Sequence, residues 1–92
     1  MDNALFSQLT TLFQRSGEAH SQAFQHVNSV DLEWPMWYAD YLYEDLKTLL
    51  GANFTKSELI YLLVLVDKEQ RLHAPGVNWT IYYSRFFLQR YQ

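Results

Sequence analysis

Two tryptophans three positions apart, Trp34 and Trp37, are followed by Tyr38, Asp40 and Tyr41, so rings and a carboxylate recur at about the spacing of one helical turn. Rings in such a strip can take a planar or apolar ligand, hold a cation over a ring face, or seat a partner helix. A second aromatic stretch opens with Trp79 and Tyr82. Trp34, Trp37, Tyr38, Asp40, Tyr41, Trp79 and Tyr82 are therefore the candidate ligand- or partner-binding residues. The competing role for the rings is core filling, because aromatics at helical spacing commonly pack inward.

Catalytic chemistry has little to work with. Bundle helices that hold paired metal ions carry Glu-x-x-His, and here the residues three before His20, His26 and His73 are Gly17, Ala23 and Gln70. Glu69 and His73 lie four apart, the spacing of an exposed helix pair. Cysteine is absent, which removes disulfides, thiolate ligands and thiol nucleophiles. No turn of the kind that exposes a nucleophilic serine occurs, and three glycines cannot build a phosphate-cradling loop. His20, between Ala19 and Ala23 on the inner side of its helix, is expected to bond to a neighbouring hydroxyl or carboxylate. The expectation is a chain with no catalytic residue, no metal and no cofactor.

Four amphipathic segments must position these residues. From Asn3 to about Val27, Leu5, Leu9, Leu12, Phe13, Ala19, Ala23, Phe24 and Val27 form one helical face, with Gly17 marking a bend or break near Ser16. Asn28 to Asp31 reads as a loop. A second helix starts near Trp34-Pro35, where a proline loses no bond, and ends at Gly51 as its C-terminal cap. Thr55-Lys56-Ser57-Glu58 is a capping box opening a third helix, which runs through the apolar stretch Leu59 to Val66 and out to Leu72. Because Leu59 to Val66 is apolar on every side, this helix is expected at the centre of the fold, with its second half, from Asp67 on, emerging into water. Ala74-Pro75-Gly76 stops it, and Asn78 caps a last helix from Trp79 to about Arg90 whose two aromatic rows need two surfaces. Asn53 and Asn78 sit in Asn-x-Thr sequences, here loop and cap chemistry. Short connections give a single all-α domain over residues 1–92, a four-helix bundle or an irregular four-helix array.

Composition sets the outer limits. In 92 residues, 49% hydrophobic and 17% aromatic side chains against 18% charged describe a globular chain, with more rings than so small a core hides completely. A net charge of -3 argues against nucleic acid, whose binding draws on basic residues. The longest unbroken aliphatic run, Leu62 to Val66, falls far short of the roughly 20 residues that span a bilayer, and the start lacks a secretory pattern. These features point to the cytoplasm.

The tract Trp34-Pro35-Met36-Trp37-Tyr38-Ala39, followed by the Thr55-Lys56-Ser57-Glu58-Leu59 helix entry, resembles a group of small bacterial proteins with a Trp-Pro-x-Trp-Tyr-Ala core. The likeness covers roughly residues 18 to 91. It implies a small helical bacterial protein of unknown activity, and it brings no catalytic or ligand residues with it. From the residues themselves, the leading expectation is a non-enzymatic interaction module that binds a partner protein or its own copy through the aromatic surface around Trp34, Trp37, Tyr41 and Trp79. The alternative is a small-molecule-binding protein or enzyme with an aromatic pocket between the second and fourth helices, edged by Asp40, Glu44 and His20.

Overall fold

A computed structural model describes residues 3–25 and 32–91. Four helices follow one another: α1 (Asn3–Ala23), α2 (Trp34–Leu50), α3 (Lys56–His73) and α4 (Trp79–Tyr91). The expected loop at 28–31 and the expected end of the first helix near Val27 lie outside the described residues.

The helix ends are set by local chemistry. α2 begins with Pro35 in its first turn and closes on Gly51 at φ 60°, a left-handed conformation that costs glycine little. At the start of α3 the Thr55 hydroxyl accepts from the Glu58 N–H at 3.0 Å, and the Glu58 carboxylate accepts from the Thr55 N–H at 2.9 Å. Those bonds favour the charged form of Glu58 and hold its pKa below the usual carboxylate value. Asn78 caps α4, its side-chain oxygen accepting from the N–H of Thr80 at 2.9 Å and from the Thr80 hydroxyl at 2.7 Å.

The helices stand in a ring, each against its two chain neighbours, with α4 closing back on α1. Cross-helix contacts fix the directions. Thr10 reaches Ser84 while Gly17 lies against Trp79, so α1 and α4 run antiparallel. His20 meets Trp37 and Tyr38 near the start of α2, whereas Gln8 and Thr11 line a groove with Thr48 near its end. Tyr43 touches Phe54, and Trp34 and Tyr38 share a cleft with Asp67 and Gln70, which makes α3 antiparallel to α2. The architecture is an all-α, up-down-up-down four-helix array, with Leu9, Phe13, Leu42, Leu46, Leu59, Leu62, Leu63, Val66 and Phe87 fully buried along its axis.

Two expectations need correction. The stretch Leu59 to Val66 is helical, but α3 is not a central rod: four rods in a ring leave no middle position, and Tyr61 (63% exposed) and Val64 (47%) face outward. Nor does α1 break at Gly17; it is continuous from Asn3 to Ala23. The glycine serves packing instead, since a Cβ there would stand 2.9 Å from Cζ2 of Trp79. Its absence lets the indole lie directly on the α1 backbone. The neighbouring Ser16, fully buried, satisfies its hydroxyl on the Phe13 carbonyl at 2.6 Å.

Candidate functional site

The antiparallel order brings four helix ends together at one pole of the array: the end of α1, the start of α2, the end of α3 and the start of α4. Most of the ring-rich sequence falls there. Trp34 and Tyr38 come from the first two turns of α2, which Pro35 can open because its missing N–H leaves no bond unmade. Trp79 and Tyr83 come from the first two turns of α4, one turn apart on its inner face, with Phe13 of α1 behind both at 6.2 and 5.6 Å between ring centres. Across this pole opens a cleft of about 430 Å³ that all four helices line.

Its rings form a folded wall. Trp34 meets Tyr38 at 79°, Tyr38 meets Trp79 at 81°, and Trp79 meets Tyr83 at 77°, with ring centres 5.9, 6.2 and 5.1 Å apart. Edge-to-face pairs of this kind are the favourable arrangement of ring quadrupoles, worth about 0.5–1.5 kcal/mol each beyond burial, so the wall is stiff before any ligand arrives. His20 stacks on Tyr38 at 4.9 Å and fixes that ring from the α1 side.

The polar edge comes from α3. Asp67 accepts the Tyr83 hydroxyl proton at 3.2 Å through one carboxylate oxygen, and pairs through the other with Arg71 at 2.8 Å, one turn on. The Asp67 side chain is 25% exposed and that of Arg71 72%, so the carboxylate is fixed while its guanidinium partner reaches into water. Burial, with the neighbouring Asp67 charge, pushes the Tyr83 phenol far above its ordinary pKa and keeps it a proton donor to Asp67. Gln70, buried below the cleft, donates to the carbonyls of Ala74 and Val77, each at 3.0 Å, and braces the α3–α4 turn that delivers Trp79.

The structure divides the seven residues singled out in the sequence. Trp34, Tyr38 and Trp79 line the cleft. Trp37 and Tyr41 stack on each other at 5.5 Å and 13°, beside His20 and Phe24, and lie outside it. Asp40 pairs with Lys56 at 3.0 Å on the surface. Tyr82 borders a separate, smaller groove with Glu69, Arg85 and Phe86. Where a pocket between the second and fourth helices edged by Asp40, Glu44 and His20 was expected, the cleft is lined by all four helices, and its polar residues include His20, Asp67 and Arg71 but neither Asp40 nor Glu44. Sequence reasoning missed Asp67, Gln70, Arg71 and Tyr83. The available signal was a polar residue in the buried register of α3: Gln70 follows Leu59, Leu63 and Val66 on one face, with Asp67 and Arg71 beside it at ion-pair spacing.

The chain matches no family model, no curated protein and no solved structure. Among the described residues no three His, Asp or Glu side chains gather as a metal site would require. Ser84 is buried and donates to the Thr80 carbonyl at 2.7 Å, which leaves it no nucleophile's role. Tyr83 itself is poorly suited to proton transfer, because a phenol with a strongly raised pKa is a weak acid near neutral pH. What the arrangement offers is a stiff aromatic wall beside an anchored carboxylate. Among the described residues, no helix is long and apolar enough to cross a membrane.

Proposed function

We infer that this protein is a small, non-enzymatic binding module that takes a small ligand, or the head of a larger one, into the aromatic cleft at the pole where the end of α1 and the starts of α2 and α4 meet the end of α3. The observation that carries the reading is the wall of Trp34, Tyr38, Trp79 and Tyr83 at successive near-right angles, closed on one side by Asp67. Concave, largely apolar sites with a few convergent polar groups are where ligands bind most often. A second groove of similar size, between α1 and α2, contains Ser7, Gln8, Thr11, Arg15, Asp45 and Thr48 and no ring. Leu12 and Leu49 give it apolar surface as well, but without a ring it has no π-face to offer a ligand.

A thermal-shift panel of small aromatic, aliphatic and ammonium compounds tests the reading. A ligand at 100 times its dissociation constant adds about 2.7 kcal/mol to stability. Compounds that stabilise the wild type and fail to stabilise Trp34→Ala support the cleft. A panel without hits, or hits untouched by the substitution, refutes it.

A second reading, docking of a partner protein or another copy of the chain, draws on a different surface. Tyr61 and Val64 are exposed one turn apart on α3, with Leu72 further along at 66% exposure. Light scattering at high concentration tests the self-association form: a dimer split by Val64→Glu supports it, and a strict monomer removes it.

A further inference from the structure

Resting on the ligand-cleft reading, we propose that the group this cleft recognises is an N-methylated ammonium head, a cation that takes the place of Arg71 beside Asp67. Four observations converge on a cation of that kind. Trp34, Tyr38, Trp79 and Tyr83 line the cleft as a wall of edge-to-face pairs; where ring faces border the space their negative quadrupoles attract a positive charge, and a methylated ammonium gives up little hydration on leaving water for such a wall. The one carboxylate lining the cleft, Asp67, is held in place by Tyr83 and mostly covered, so its charge is poorly screened by water. Its present counter-ion, the Arg71 guanidinium, is mostly in water and attached by a flexible stem, so it can swing away when another cation arrives. The net charge of -3 draws cations toward the molecule and repels anionic ligands.

The presence of both Asp67 and Arg71 makes the sign of the ligand charge testable. Arg71 competes with a cationic ligand and assists an anionic one; Asp67 does the reverse. Choline and its neutral carbon analogue 3,3-dimethylbutan-1-ol have nearly the same shape and differ in charge. Both are titrated into the whole chain, followed by proton-nitrogen NMR of the indole N–H groups of Trp34 and Trp79. The expected result is choline bound about tenfold more tightly than the analogue, from ring attraction and the Asp67 charge together. Arg71→Gln then tightens choline several-fold, and Asp67→Asn, which retains an acceptor for Tyr83, removes the preference for choline.

Equal binding of choline and its analogue overturns the cation assignment while leaving the ligand cleft in place. Weaker choline binding by Arg71→Gln overturns it too, and this arm decides the matter even if Asp67→Asn fails to fold. If neither compound moves Trp34 or Trp79 and no member of the thermal-shift panel binds, the cleft reading itself has failed. A trimethyllysine peptide run beside choline identifies the source: tighter binding of the peptide means a head borne on a protein, and tighter binding of choline a free small molecule.

Discussion

Alanine at position 17 should weaken this protein, although glycine to alanine inside a helix ordinarily strengthens one. The usual gain is about 1 kcal/mol, from the conformational freedom that glycine loses on folding. Here the new methyl group would lie 2.9 Å from Cζ2 and 3.5 Å from Cη2 of Trp79. Relief requires the indole to retreat by about 0.5 Å, and such overpacking commonly costs about 1–3 kcal/mol. Trp79 has little room to retreat, since Phe13, Tyr38 and Tyr83 contact it edge to face. The two effects leave Gly17→Ala less stable by about 1 kcal/mol, or about 4–8 °C in Tm for a domain of this size. Urea denaturation measures it as a lower midpoint with an unchanged slope. A double-mutant cycle isolates the cause: in a Trp79→Phe background the smaller ring clears the methyl, and the same substitution should stabilise by up to about 1 kcal/mol. Stabilisation of that size in the wild-type background would refute the reasoning, because it would mean that Trp79 does not rest on the α1 backbone.

Removing the brace under the cleft, Gln70→Ala, should cost about 1–3 kcal/mol in urea denaturation, since it deletes two side-chain hydrogen bonds to the Ala74 and Val77 carbonyls. Faster amide exchange across residues 74–77 should accompany that loss. Thr55→Ala, which strips the capping box of its hydroxyl, should cost about 0.5–2 kcal/mol by the same assay. The lowered pKa of Glu58 gives a pH dependence of fixed sign: its contribution is complete above the ordinary carboxylate value of 4.5 and is lost as pH falls through the lower folded value. Glu58→Gln keeps an acceptor for the Thr55 N–H but no charge. Its stability deficit relative to wild type should therefore shrink as the pH is lowered from neutral into the acid range, and a deficit that grows would contradict the assignment.

The helices were legible wherever a boundary has a local cause. Pro35 and Gly51 bracket α2, Thr55 and Glu58 open α3, and Asn78 starts α4, because caps and prolines act within a few residues of themselves. Gly17 was misread for the opposite reason. Its explanation is Trp79, which touches it only after α4 has folded back on α1. The same limit governs the cleft. Trp34, Tyr38 and Trp79 could be picked out by residue type and spacing, but which rings of the Trp34–Tyr41 strip turn toward α3 is decided by the neighbours each helix acquires. Trp37 and Tyr41 share the strip and face elsewhere. Asp67 and Arg71 looked like the wet second half of α3, and only the antiparallel ring of helices brings them to the aromatic pole. Reading the apolar run Leu59 to Val66 as a central rod overlooked that a corner helix in so small a body can leave Tyr61 and Val64 in water.

The central claim is that Trp34 and Trp79 wall a ligand site from which Trp37 is excluded. Labelling with 5-fluorotryptophan gives one fluorine signal for each of the three tryptophans, assignable by single Trp→Phe variants. During a choline titration the signals of Trp34 and Trp79 should move together along one saturating curve while that of Trp37 stays in place. Joint movement of all three, or movement of Trp37 alone, would contradict the account.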